Sequence, residues 1–134
     1  IIKKFINNIM IENFLIINCT GKADSIGLRI EKKFIVHNLH NKNNDMLVSN
    51  ILDFIEKNNV KIDKKFSVII NRGPGSFSSI RTALSVGKGI QLSTGAMLYG
   101  YKNFDLDEFK LKNIEFLIKK NLLENKLINP LYLS

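Results

Sequence analysis

The glycine-rich segment Arg72-Gly73-Pro74-Gly75-Ser76-Phe77 has the residue types and spacing of a turn that could bind a ligand. It follows a continuous apolar run and precedes a helical pattern, and ligand sites in α/β sheets commonly lie where a strand ends and a helix begins. Its two glycines supply backbone freedom, and the proline between them stiffens the turn. Ser76 or Ser78 can cap the following helix. The free N–H groups of such a helix start can hold a phosphate.

The segment matches neither of the common phosphate-binding loops. A Walker loop would end in Gly-Lys-Ser/Thr, and a dinucleotide-binding turn would have a third glycine where Ser78 stands. From these residues alone, a tight strand-to-helix turn without a ligand is the simpler interpretation.

Other side chains with catalytic potential lack the partners that catalysis needs. His37 and His40 stand at a strand end with no cysteine or carboxylate cluster beside them, which favours surface or packing roles over a metal site. Cys19 lies in an apolar stretch, which favours a buried structural thiol and a reducing compartment. Three nearby carboxylates are predicted to form the acidic first turn of a helix, at Asp105, Asp107 and Glu108. The sequence therefore predicts no catalytic residue, no metal and no cofactor.

Elements of an α/β domain must position the glycine-rich turn. Short apolar or alternating runs predict strands at residues 14–17, 25–30, 34–39, 66–70 and 96–101. Three- and four-residue apolar spacing predicts helices that begin at 43–45 and end at 57, then at 78–94 and 105–125. The order βββαβαβ plus a C-terminal helix, with a mixed sheet, resembles one ribonuclease H-like half-domain of the actin-like ATPase superfamily.

Composition indicates one ordinary globular domain. The chain has 134 residues, of which 45% are hydrophobic and 24% are charged. Its formal net charge of +8 comes from scattered lysines, and the one thin cluster, Lys61, Lys64 and Lys65, favours a solvated surface over an RNA-binding site. Residues 1–9 are too short and too polar to span a membrane or to act as a signal peptide, so they are expected to be an extension before the domain.

The turn and the segment after it resemble the TsaB family of tRNA threonylcarbamoyladenosine biosynthesis proteins, also called YeaZ. That family's loop reads Gly-Pro-Gly-Ser-Phe-Thr-Gly-x-Arg, which Gly73 to Phe77 and Arg81 match. Three further segments are similar to the family's opening strand, to its His-Ser pair and to its closing Pro-x-Tyr-Leu-Arg, namely Phe14 to Thr20, His40-Asn41 and Pro130-Leu131-Tyr132-Leu133. The resemblance covers nearly all of Met10 to Ser134.

The chain departs from that family in two respects. Asn18 stands where the family has an aspartate at the end of strand one, and Ser78-Ser79 replaces Thr-Gly. The family also carries a second half-domain, which is almost wholly missing here. The resemblance therefore implies a shortened member, with a ribonuclease H-like domain at residues 10–104 and a remnant of the second half-domain at residues 105–134.

The resemblance implies a non-catalytic, cytoplasmic scaffold that dimerises with TsaD. TsaD transfers the threonylcarbamoyl group to adenosine 37 of tRNAs that read ANN codons. TsaE is a further implied partner, a homodimer is possible when the chain is alone, tRNA is contacted only through the complex, and no membrane is involved. The family uses two helices to contact TsaD, and in this chain they carry Met46, Leu47, Ile51, Ala83, Leu84 and Gly87. Leu47 and Leu84 are expected to face outward, and Arg72, Phe77 and Arg81 are expected to fix the loop.

Alternatives remain at this point. The two helices can equally pack only on their own sheet. A nucleotide-binding enzyme of the actin-like superfamily is the second functional hypothesis, although Asn18 is a poorer ligand for magnesium than an aspartate. Proteolysis, an activity once ascribed to relatives, finds no nucleophile with a base, and a stand-alone RNA-binding protein rests on the positive charge alone.

Overall fold

The computed structural model describes residues 11–39, 46–126 and 128–131. Four sequence predictions therefore lie outside the described residues: the extension at 1–9, the His40-Asn41 pair, the helix cap at 43–45, and Tyr132-Leu133.

In the part of the chain that the structure describes, five strands form one mixed sheet. The strands are β1 (Phe14–Asn18), β2 (Ser25–Ile30), β3 (Lys33–Asn38), β4 (Ser67–Asn71) and β5 (Met97–Tyr101). Their order across the sheet is β3-β2-β1-β4-β5. The first three strands run as an antiparallel meander, whereas β4 pairs in parallel with both β1 and β5. The predicted mixed α/β half-domain with the order βββαβαβ is confirmed.

Within the described ranges, three helices accompany the strands, and they cover both faces of the sheet. They are α1 (Leu47–Lys57), α2 (Phe77–Thr94) and α3 (Leu111–Lys119). Alternate residues of β1 point to opposite faces, as the pleat requires: Leu15 and Ile17 pack with α1 and α2, while Phe14 and Ile16 pack with α3. Buried on both faces, β1 reads as a continuous apolar run.

The glycine at the end of α2 has the predicted local role. Gly95 ends α2 in the left-handed conformation, with φ of 79° and its N–H bonded to Gln91 O at 2.9 Å.

Among the described residues, no helix is both long and apolar enough to cross a membrane.

The C-terminal helix is shorter than predicted. It begins at Leu111 rather than at residue 105, because Lys110 has an extended backbone, and it ends at Lys119, shortly before Asn121, whose φ is +58°. Asp105 belongs to a separate 3-10 turn, Asn103–Asp105, and Glu108 pairs with Lys110 at the surface. The prediction of an acidic first turn is therefore wrong, since these carboxylates precede the helix.

Candidate functional site

Three strands end side by side where the glycine-rich turn begins. Asn18 ends β1, Asn71 ends β4 and Tyr101 ends β5, and these strands are parallel neighbours. Asn71 Nδ2 donates to Asn18 Oδ1 at 2.7 Å and to Asn103 Oδ1 at 2.9 Å. The buried Asn71 side chain, at the end of β4, therefore links the end of β1 to the segment that follows β5.

The same Asn71 side chain also holds the start of the turn. Its Oδ1 accepts a hydrogen bond from Gly73 N at 2.8 Å. A backbone N–H can only donate, so this contact fixes the orientation of the Asn71 amide and leaves Nδ2 to face the other two asparagines. Gly73 has φ of +93°, which an L side chain rarely adopts, and the Gly73-Pro74 peptide is cis. Gly73 O accepts from Asn103 N at 2.9 Å.

The loop after β1 packs directly on the glycine-rich turn. Ser76 N donates to Thr20 O at 2.7 Å. A Cβ on Gly75 would come within 2.8 Å of that same carbonyl oxygen, so a larger residue would push the two loops apart. The turn is therefore supported from β1 as well as from β5.

Arg72 points into the protein and ties the turn to the C-terminal segment. It is 8% exposed. Its Nε donates to Asn129 O at 2.9 Å, and Nη1 forms an ion pair with Glu124 Oε1 at 2.7 Å. On the backbone, Leu131 N donates to Arg72 O at 2.8 Å. The expectation that Arg72 fixes the loop is consistent with these contacts, and the structure adds the segment at residues 124–131 as its counterpart.

Phe77 and Arg81 lie on the outer surface of the first turns of α2. Phe77 is 44% exposed, and the Arg81 guanidinium carbon lies 5.1 Å from the centre of its ring. Ser76 occupies the N-cap position, but its hydroxyl bonds the Ser79 hydroxyl at 3.1 Å instead of capping a backbone N–H. Phe77 and Arg81 are therefore exposed residues of the motif, whereas Arg72 is buried.

The predicted partner-facing residues divide between the surface and the core. Met46 is 44% exposed. The other five are buried against the sheet of this chain: Leu47, Ile51, Ala83, Leu84 and Gly87. The expectation that Leu47 and Leu84 face outward is wrong, because both belong to the core beneath α1 and α2. The outward apolar residues of α1 are instead Val48 and Leu52.

Burial perturbs two titratable groups near the site, the Cys19 thiol and the Tyr101 hydroxyl. Burial raises the pKa of the Cys19 thiol, and the nearby charge of Asp24 raises it further. Burial also raises the pKa of the Tyr101 hydroxyl. His37 stacks on Phe54 with 5.7 Å between ring centres. Within the described ranges, no three His, Cys, Asp or Glu residues are grouped as a metal ion would need.

What this edge can do chemically is present a rigid loop. The Asn18 and Asn71 amides bond each other, Arg72 is engaged by the C-terminal segment, and the Cys19 thiol is buried and protonated. Among the described residues, Phe77, Arg81 and Phe104 are exposed beside this edge.

Sequence reasoning missed several residues that support the loop. Asn71 and Asn103 could have been found, because polar residues that follow adjacent parallel strands meet at one edge of a sheet. Glu124 and Asn129 carry no such signal, since they lie beyond the last strand and their contact with Arg72 depends on the path of the C-terminal segment.

Comparisons with known proteins bear on the fold. No family model matches the chain, and no curated protein matches it. Among solved structures, the chain is similar to YeaZ from Pseudomonas aeruginosa, with a TM-score of 0.61 and 18% identity over 72% of this chain and 46% of that one. A second structure is described as an uncharacterized protein with similarity to peptidase YEAZ from Pseudomonas aeruginosa, with a TM-score of 0.60, 18% identity, and coverage of 72% and 45%. The chain therefore has a YeaZ-like fold and spans less than half the length of these neighbours.

Proposed function

We propose that this chain is a TsaB-type scaffold subunit that binds TsaD and supports threonylcarbamoylation of adenosine 37 in tRNAs that read ANN codons. The observation that carries the proposal is the Gly73-Pro74-Gly75-Ser76-Phe77 loop, which lies between β4 and α2 of a YeaZ-like half-domain. The fold is common to proteins with many functions, so the loop rather than the fold supports the family.

The rigidity of the loop supports a role in positioning rather than in chemistry. The loop is held by Asn71 from within, by Thr20 from the β1 side and by Asn103 from the β5 side. Asn18 offers a neutral amide, already bonded to Asn71, where a magnesium-dependent phosphoryl transferase would use a carboxylate. These contacts favour a subunit whose partner carries the catalytic residues.

The surface proposed for TsaD is the outer face of α1 beside α2. Val48 and Leu52, one turn apart on the same side of α1, are 40% and 49% exposed, and Met46 at the N-cap of this helix is 44% exposed. Neighbouring exposed apolar residues on a helix surface are a feature of protein interfaces. The acidic Asp53 and Glu56 on the same helix give this face a polar rim. TsaE and a homodimer are further partners that this proposal includes.

The test is co-purification of the chain with TsaD from the same organism, followed by a threonylcarbamoylation assay on tRNA. We expect Val48→Asp and Leu52→Asp to abolish the complex while leaving the circular dichroism spectrum unchanged, because both side chains are exposed. Phe116→Asp on α3 is the matched control, since Phe116 is 52% exposed on the other face of the sheet.

Two results would decide against the proposal. The first is a wild-type chain that neither binds TsaD nor changes the yield of modified tRNA. The second is an equal loss of binding in the α1 variants and the Phe116→Asp control, which would mean that the outer face of α1 is not the specific contact. Leu84→Ala is unsuitable for this test because Leu84 is buried and the variant is expected to unfold.

A further inference from the structure

A small cavity opens at the amino end of β1, between the sheet and α3. Its volume is about 150 Å³, which is the size of a cavity that holds one benzene molecule. Its apolar lining comes from Ile11, Phe14 and Ile118. Phe14 and Ile118 belong to the core between the sheet and α3. The cavity is distinct from the glycine-rich turn, because the length of β1 lies between them.

Side chains of both charges also line the cavity. They are Glu12 before β1, Arg29 on β2, and Glu115 and Lys119 on α3. Arg29 lies opposite Phe14 in the β1–β2 ladder, so the two side chains project from the same face of the sheet. Arg29 Nη1 donates to the backbone carbonyl of Glu12. Among the described residues, none of these four charged side chains forms an ion pair. The cavity therefore combines an apolar wall with separated charges of both signs.

We propose that this cavity binds a free α-amino acid with an apolar side chain of the size of valine or leucine. The ligand carboxylate bonds the Arg29 guanidinium, whose N–H donors form a fork that matches a carboxylate. The ligand ammonium group lies beside the carboxylates of Glu12 and Glu115. The ligand side chain packs against Phe14 and Ile118, and its branched hydrocarbon is smaller than the benzene ring that a cavity of this volume accepts.

The balance of charge favours a zwitterion over other small ligands. Arg29 and Lys119 attract a simple carboxylic acid, but Glu12 and Glu115 repel it, so it gains little from the charges together. Phosphate would meet the same two carboxylates and would leave the apolar wall uncovered. An uncharged apolar molecule would cover the half-buried Arg29 guanidinium without offering it an acceptor, which is unfavourable. An apolar amino acid supplies a partner for each kind of group.

This inference goes beyond the proposed function and does not rest on it. The cavity lies on the α3 face of the sheet, whereas the surface proposed for TsaD lies on α1, which packs on the opposite face. The experiment uses the full chain without a partner. A negative result therefore leaves the TsaD proposal untouched.

The experiment follows the backbone amide and arginine Nε–H signals of the full chain by NMR while leucine is added. A ligand of this size is expected to bind with a Kd on the order of 1 mM, so the titration extends to about ten times that concentration. We expect shifts at Arg29 Nε–H and at the amides of the residues that line the cavity. Leucinamide lacks the carboxylate and isocaproate lacks the ammonium group, so each should bind about ten-fold more weakly than leucine.

Two variants test the assigned partners of the ligand. Arg29→Gln removes the partner of the carboxylate and should weaken leucine binding about ten-fold. Arg81→Gln is the matched control, because Arg81 is exposed on α2, over the opposite face of the sheet, and this variant should bind as the wild type does. Glu115→Gln should weaken leucine binding about two- to five-fold and strengthen isocaproate binding, since it removes a carboxylate that attracts one ligand and repels the other.

Three outcomes would overturn the inference. They are a wild-type chain whose Arg29 Nε–H signal does not shift with leucine, leucinamide or isocaproate that binds as tightly as leucine, and an equal loss of affinity in Arg29→Gln and Arg81→Gln. Thermal melts establish that each variant is folded. If Arg29→Gln unfolds, the comparison of ligands on the wild type and the opposite responses of Glu115→Gln to leucine and isocaproate decide, because a loss of folding would weaken both ligands.

Discussion

Asn71 donates a hydrogen bond from Nδ2 to Asn18 Oδ1 across 2.7 Å, which joins the carboxyl ends of β4 and β1. The opposite side of the same amide accepts from Gly73 N at 2.8 Å. One buried side chain therefore holds the glycine-rich turn against the sheet, and Asn18 is one of its supports. The neutral residue at the end of β1 is thus part of the loop's scaffold.

Replacing Asn71 should lower the free energy of unfolding more than replacing Asn18 does. Asn71→Ala leaves the buried Gly73 N–H without its acceptor and removes two amide bonds, so we expect a loss of about 3 kcal/mol in the free energy of unfolding. Asn18→Ala removes one acceptor at a half-buried position and should cost about 1 kcal/mol. Urea denaturation measures both values. Hydrogen exchange at the Gly73 amide should accelerate in Asn71→Ala only; equal acceleration in both variants would contradict the assigned geometry.

Arg72→Met should release the C-terminal segment. Methionine keeps the apolar stem but loses the bond to Asn129 O and the ion pair with Glu124, so we expect a cost of about 2 kcal/mol. The Glu124 side chain is 41% exposed, so water screens its ion pair with Arg72. A double-mutant cycle with Glu124→Gln should therefore give a coupling free energy of no more than about 1 kcal/mol. Glu108→Gln, in an exposed ion pair with Lys110, is the control and should change stability little. A similar effect from Glu108→Gln would argue against a specific role for Arg72.

Two glycines of α2 should respond to alanine in opposite directions. A Cβ on Gly87 would collide with Ile70 and touch Leu98 on the sheet, so Gly87→Ala should destabilise the protein by about 1–3 kcal/mol. A Cβ on Gly89 meets no atom within 4 Å, so Gly89→Ala should stabilise the helix by about 0.5–1 kcal/mol. Paired thermal melts measure the difference. Destabilisation by Gly89→Ala would mean that this position is not open in the folded protein.

Stability should fall as pH rises above the ordinary pKa of a thiol. Burial, with the charge of Asp24 second, raises the pKa of Cys19 in the folded protein above its ordinary value of 9.0. Above that pH the unfolded chain loses the thiol proton while the folded chain keeps it, which favours unfolding by about 1.4 kcal/mol between pH 8 and 10. Urea denaturation across this range measures the slope. The Cys19→Ala variant should lose this part of the pH dependence of stability. An unchanged slope would mean that other groups cause the fall in stability.

The order and type of the elements could be predicted from the sequence, because they rest on local patterns. Apolar runs bounded by turn residues predicted all five strands within two residues, and helical spacing predicted α1 and α2. The end of α2 at Gly95 was predicted for the same reason, since a C-cap glycine acts on its own turn of helix. The predicted bounds of the C-terminal helix were wrong. Scattered apolar residues from 105 to 125 fit helical spacing even where the backbone leaves the helical conformation, at Lys110 and Asn121.

By itself, the sequence determined the β-strand and helix order and the position of the glycine-rich turn, since both depend on residues close together in the chain. Only the tertiary structure decided which side of each element is buried. Leu47 and Leu84 are buried in the core. Arg72 contacts Glu124 and Asn129. Asn71 bonds both Asn18 and Asn103, and all of these contacts join residues far apart in sequence. Such contacts depend on how helices cross the sheet and on the path of the last segment, which the spacing of residues along one chain does not encode.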